Sequence, residues 1–312
     1  MGHICFVILN YRVDQESICC AESILQTQTY ENYDIVIVDN GSANGSKERL
    51  EEYFSGRKNV HVIASEENLG FACGNNLGID YARENFDSDF IVVSNSDIVF
   101  EQPDYCEELV KIYKRRRYDI LGGDIVDITQ TLHFNPVARN RDYNISYMRK
   151  QAAVSSAKAL MFRLIKFFHL KKAAAKHYGI AQYQNSGGQT TGAKSATREV
   201  NGVSVSADSR IEHEMQGVLL HGCCLVFSRD FFRHLHGFYD KTFLYAEEEI
   251  LYYQAMELGM TVLYSPHIGC IHKEAVSTNS IQKEFCDSRI FYFSNVAKSY
   301  RIFLRLMKEA KN

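Results

Sequence analysis

The chain of 312 residues is 46% hydrophobic with a formal net charge of -3, enough for one large core or two small ones and a poor match to a nucleic-acid binder. No apolar run reaches the roughly eighteen residues of a spanning helix, and the N-terminus lacks the charged region of a secretory signal. The nine cysteines, none spaced as CxxC, argue against a zinc ribbon or a disulfide framework and fit reduced thiols in a cytosolic protein.

Residues 4–9 form a short β-branched run ending in Asn10-Tyr11-Arg12, and Ile18, Ala21, Ile24 and Leu25 follow at helical spacing behind the capping candidate Asp14. A second strand, 33–38, ends in Asp39-Asn40-Gly41-Ser42; a helix over 47–54 and a strand over 60–63 come next. Strand and helix alternating at this interval predict βαβ units and a mainly parallel sheet with flanking helices. The first strand is followed by neither G-x-G-x-x-G nor a P-loop, which removes most support for a dehydrogenase or a P-loop enzyme. Residues 67–79 are rich in Gly and Asn, with Asn75 and Asn76 expected to open a helix running to about Arg83.

The run 89–100 reads as a buried parallel strand interrupted by the polar step Asn95-Ser96-Asp97. Asp97 at a strand's C-terminal end suits either a turn cap or an oxygen-seeking cation that holds a diphosphate. Asn10, Asp39 and Asp97 thus recur at strand tips that would line one crevice, although Asp39 by turn statistics alone is an ordinary turn residue.

Five ordered segments over about ninety residues resemble the inverting glycosyltransferases of family 2, which have the GT-A fold: Ile8-Leu9-Asn10-Tyr11, Gln28-Thr29-Tyr30, the run 35–42, Asn68-Leu69-Gly70-Phe71-Ala72 with Asn76-Leu77-Gly78-Ile79, and Asn95-Ser96-Asp97. The likeness is to bacterial polysaccharide and rhamnosyltransferase-like members. It implies a Rossmann-like α/β domain in which Asn10, Tyr11, Asp39, Asn68, Gly70, Asn76, Asn95 and Ser96 bind the nucleotide-sugar donor. Asp97 then stands in the metal-binding DxD element, for Mn²⁺ or Mg²⁺. Asn95 replaces the first acid of that element, so Asp97 carries the metal.

Residues 139–176 hold ten Lys or Arg against the single acid Asp142, a formal charge of +9, with bulky apolar residues interspersed over 159–168. A basic amphipathic helix on an anionic membrane has this composition, as does a helix whose apolar side packs on its own domain. Residues 185–209, rich in Gly, Ser and Thr, read as a loop or a lid over the acceptor site.

In the resemblance, Gly222 with Cys223 forms the floor near the donor sugar, while His221 reads best as a packed histidine. Glu247-Glu248-Glu249 at a helix start complements the helix dipole. Inversion, however, also needs a base for the acceptor hydroxyl, and crowding by like charges raises a carboxyl pKa. The family carries its base here: Glu248 takes that position, Glu247 is the reserve, and Ile250 departs from the family's usual acid. After a last strand over 261–264, His272 matches a histidine that completes the family's metal or diphosphate site; a lone histidine after a strand is otherwise usually structural.

The expected organisation is a nucleotide-sugar half (1–134), a basic helical and loop insertion (135–215), an acceptor and catalytic half (216–275) and a C-terminal helical tail (276–312). The expected activity is transfer of a sugar from a UDP- or dTDP-type donor to a hydroxyl of a growing, lipid-linked cell-surface glycan, in the cytoplasm or peripherally on the inner face of the cytoplasmic membrane. The alternative is a non-catalytic relative that binds sugar nucleotide or glycan as an assembly partner. A sugar-nucleotide pyrophosphorylase would want a Gly-rich basic loop after the first strand, which residues 10–14 do not supply.

Overall fold

A computed structural model describes residues 2–139, 143–168, 197–200, 203–206, 209–273 and 285–310. They divide into two compact units, Met1–Asp142 with Thr197–Ser280 and Tyr143–Ala196 with Ile281–Asn312.

The first unit is built on a sheet. Its N-terminal part alternates strands β1 (Ile4–Asn10), β2 (Tyr33–Asn40), β3 (Val60–Ser65) and β4 (Phe90–Asn95) with helices α1 (Asp14–Thr27), α2 (Ser46–Tyr53) and α3 (Gly70–Phe86). β3, β2, β1 and β4 lie side by side and parallel. The β-branched runs of β1, β2 and β4 are buried on both faces, as a sheet covered by helices requires. Beyond them come β5 (Ile98–Val99), α4 (Tyr105–Arg116), β6 (Ile120–Asp127) and β7 (Ala138–Arg139). The C-terminal part supplies the hairpin β8 (Thr197–Val200) and β9 (Val203–Ser206), then β10 (Met215–Gln216), β11 (Val218–Leu219), β12 (Cys224–Ser228), helix α6 (Glu247–Glu257) and β13 (Val262–His272). β12 runs antiparallel between β4 and β6, and β13 runs parallel beside β6 and pairs antiparallel with β5. The sheet is therefore mixed, mostly parallel, with a hydrophobic cluster on each face.

Several local expectations change. α3 starts at Gly70, so Asn75 and Asn76 lie inside the helix rather than opening it. The predicted strand over 89–100 is two strands, because Ser96 and Asp97 turn the chain between β4 and β5. The last strand extends to His272, which belongs to β13 instead of following it. Of the expected loop over 185–209, residues 197–200 and 203–206 form the antiparallel pair β8–β9, and residues 185–196, 201–202 and 207–208 lie outside the described residues.

In the second unit, α5 (Ile145–Phe167) packs against α7 (Phe285–Glu309). Asn144 caps α5 by accepting from the Tyr147 amide. Met148, Ala152, Ser155, Ala159 and Phe162 recur at helical spacing on its buried side, and Phe162 stacks on Phe293 at 5.8 Å between centroids. The opposite face leaves Leu160, Leu164, Phe167 and Phe168 exposed, the last two by 75% and 60%. Residues 140–142 and 169–176 of the basic stretch lie outside the described residues. Among the described residues no helix is long and apolar enough to cross a membrane.

Candidate active site

The C-terminal ends of β1 and β2 are laced together by buried polar side chains. Asn10 donates from Nδ2 to Asp39 Oδ2 at 2.7 Å, and its Oδ1 accepts from Ser17 Oγ at 3.0 Å. Asp39 accepts the Ser42 amide at 3.0 Å, which shapes the turn that follows. Asp39 is 3% exposed and is satisfied without a charged partner, as a preformed acceptor at a strand end would be. Next to it, Asn40 donates to the Gly70 carbonyl (3.0 Å) and Asn68 Oδ1 (3.2 Å) and accepts the Leu69 amide (3.0 Å), fixing the loop that precedes α3. Asn76 spends both amide atoms on the Phe238 backbone, each at 2.8 Å, so its side chain holds the 237–243 segment. Gly70 has φ +84°, and a Cβ there would stand 2.2 Å from the Phe243 carbonyl oxygen, which accepts the Phe71 amide at 2.8 Å. That close approach needs glycine.

At the β4–β5 step, Asp97 and Ser96 are each 4% exposed. The Asn95 amide donates to the Cys223 carbonyl at 2.8 Å, and the Lys273 amide to the Asp97 carbonyl at 2.9 Å. His272 Nε2 lies 3.3 Å from Asp97 Oδ1, while His272 Nδ1 is buried with no hydrogen-bond partner among the described residues. A carboxylate beside a histidine with an orphaned ring nitrogen fits a divalent cation, because an ion would satisfy the atom that the protein leaves bare. His221, with its ring centroid 5.7 Å from that of His272, has a pKa lowered to about 4 by burial first and by His272 second. Its backbone amide is held by Asn135 Oδ1 at 2.7 Å. Asn135 is fully buried, and the sequence marks it only as the residue before Pro136.

Gly222 leads from this cluster to the acids, since a Cβ on it would meet Glu248 Cβ and Oε2 at 3.6 Å. Tyr245 and Ala246 both adopt left-handed backbone (φ +72° and +70°) immediately before α6, a costly conformation for non-glycine residues that sets Glu247 and Glu248 at the helix start. Glu247 is 3% exposed, and desolvation first, then Glu248, raises its pKa to about 8. Desolvation also raises the pKa of Glu248. A polar cleft of about 470 Å³ elsewhere in this unit contains none of these residues, and its Asp124 is already paired with His133 at 2.9 Å and Arg210 at 3.2 Å.

The strand-end polar groups and Asp97 lie within a match to Glycosyl transferase family 2 over residues 6–178, more than half of the chain, while His272 and the acidic helix start lie beyond it. The chain belongs to this family. Its relatives include EpsH of Bacillus subtilis (strain 168), 40% identical over 92 residues, which are 30% of this chain and 25% of EpsH. Another is the glycosyltransferase GlyG of Streptococcus pneumoniae serotype 4, 31% identical over 39% of this chain and 38% of GlyG. The low-salt glycan biosynthesis hexosyltransferase Agl10 of Haloferax volcanii is 25% identical over 41% of this chain and 38% of its own length. The matched stretch thus spans well under half of each of these relatives. In structure, this family 2 glycosyltransferase resembles GalNAc-T7, solved with UDP, GalNAc and Mn²⁺, with a TM-score of 0.55 and 13% identity over 87% of this chain and 44% of that one. The likeness is one of fold: a GT-A-like α/β domain.

Proposed function

We propose that the chain transfers a sugar, with inversion, from a UDP- or dTDP-type donor to a hydroxyl of a growing, lipid-linked cell-surface glycan. The observation that carries the reading is the segment 221–223, which has the Asp97–His272 pair near it and Glu248 close enough to Gly222 that an added Cβ there would touch it. Diphosphate and acceptor hydroxyl would thereby meet across one short piece of backbone. Asn10, Tyr11, Asp39, Asn68, Gly70, Asn95 and Ser96 would form the nucleotide and sugar side. Asp97 and His272 would hold Mn²⁺ or Mg²⁺, which when bound supplies charge that makes the nucleoside diphosphate a better leaving group.

The protein's own part is proton transfer and exclusion of water. Glu248, with its carboxyl pKa raised by burial, takes the acceptor's hydroxyl proton as that oxygen attacks the anomeric carbon from the face opposite the leaving group. Glu247, protonated up to about pH 8, adds no second negative charge beside it below that pH. Mn²⁺ and UDP in the GalNAc-T7 structure and the glycan-assembly name of Agl10 favour this reading over a non-catalytic binder.

The test is Glu248→Gln. Sugar transfer should fall by about 10²–10⁴-fold, as expected for loss of a general base, while calorimetry with UDP- or dTDP-sugar and Mn²⁺ shows unchanged donor binding. Normal turnover in this variant would place the base elsewhere; donor binding without any turnover in the wild type would favour the binder.

The exposed apolar face of α5, on a helix that carries Arg149, Lys150, Lys158, Arg163 and Lys166 and no acid, supports contact with an anionic membrane surface, where a lipid-linked acceptor would reside.

A further inference from the structure

We infer that His221, Cys223 and the Nδ1 side of His272 form a metal-binding set, with Asp97 orienting His272 from its other nitrogen, and that this set selects a thiolate-preferring cation such as Zn²⁺ or Co²⁺. The inference rests on the proposed reading that His272 holds a cation.

The geometry comes from two strands and the loop between β11 and β12. One ligand atom each from His221, Cys223 and His272 lies within 4.8 Å of the other two. His272 is at the end of β13, and Cys223 immediately precedes β12, where its carbonyl is fixed by the Asn95 amide. Cys223 is 2% exposed, and its own amide donates to His221 Nδ1 at 3.2 Å, which seats that ring against the thiol. The orphaned His272 Nδ1 adds an independent pointer: this nitrogen is buried without a partner among the described residues while Nε2 faces Asp97. A carboxylate on one nitrogen of a metal-binding imidazole fixes the ring and its tautomer, so that the other nitrogen offers its lone pair. Two imidazoles and a thiol make a borderline-soft donor set, whereas Mg²⁺ and Mn²⁺ favour oxygen ligands. On binding, the Cys223 S–H bond gives way to a sulfur–metal bond and the proton leaves to solvent.

Nothing in the donor chemistry is lost by such a change. A cation held by this set would still supply positive charge to a diphosphate, and Asp97 would orient the imidazole that binds it. What changes is which ion the protein retains in a mixture.

The experiment is titration of the full chain with Co²⁺ under reducing, anaerobic conditions, read by absorption. A sulfur-to-cobalt charge-transfer band in the near ultraviolet, together with intense visible bands of low coordination number, is expected at one equivalent. Cys223→Ser should abolish the ultraviolet band, and Cys73→Ser, a change at a partly exposed thiol on α3, should leave it intact. X-ray absorption of the Zn²⁺-loaded wild type provides a reading that needs no variant, with one sulfur expected at about 2.3 Å. Co²⁺ bound without the sulfur band, a Zn²⁺ shell of nitrogen and oxygen only, or a band that survives Cys223→Ser would overturn the inference and leave the cation reading standing. Failure to bind Co²⁺, Zn²⁺ or Mn²⁺ at all would overturn both.

Discussion

Glu247, the first of the three acids at the start of α6, sits where burial has a measurable consequence. Glu247 is almost wholly enclosed and its pKa of about 8 is set mainly by lost hydration, so the folded protein holds a proton there that the unfolded chain would release above its ordinary 4.5. Between those two values the native state binds more protons than the unfolded state. Stability therefore falls as pH rises from about 4.5 to about 8 and is level with respect to this group above that. His221 acts in the opposite sense: its pKa is depressed from 6.5 to about 4, so its contribution is complete above 6.5 and is lost as pH falls toward 4. Glu247→Gln should remove the alkaline decline and leave the acid limb in place, measured as urea midpoints across pH 4 to 9. An unchanged alkaline limb would mean that Glu247 is ionised in the folded protein.

At the level of elements, α3 is pressed against the sheet through its glycines. A Cβ on Gly78 would approach Val7 Cγ1 to 2.4 Å and Val38 Cγ2 to 2.8 Å, both on fully buried strands. Gly78→Ala should cost about 1–3 kcal/mol by overpacking, read from denaturant unfolding, even though alanine is the better helix former. The exposed face of α5 yields a second expectation. Leu160→Glu with Leu164→Glu should reduce co-sedimentation with vesicles containing anionic lipid while leaving the Met148–Phe162 side packed on α7; equal sedimentation of variant and wild type would remove the membrane contact. The composition of this helix could not separate a packed face from a free one, because both faces carry apolar residues. Strand positions in the N-terminal part were legible, since buried parallel strands announce themselves as β-branched runs. The onset of α3 was not, because the residue at its N-cap is Leu69 and the side chain that accepts the Gly70 amide, Asn68, stands one residue further back.

For the whole molecule, the family resemblance and the α/β architecture could be read from segments close together in sequence. What escaped was the assembly of distant ones. Cys223 stands in the sequence as a small residue in a donor floor, and only the return of β13 brings His272 to it. Asn135 was legible as a break before proline; that its side chain holds His221 depends on a partner 86 residues away. The sheet order carries one more consequence, for the birth of the protein. β12 lies between β4 and β6, so the N-terminal strands leave the ribosome with a gap in their sheet that only residues 224–228 can fill. Until then β4 offers an open, apolar edge to any other strand nearby. Such long-range closure is slow, and the chain is most exposed to aggregation during the interval in which its N-terminal strands already exist and residues 224–228 do not.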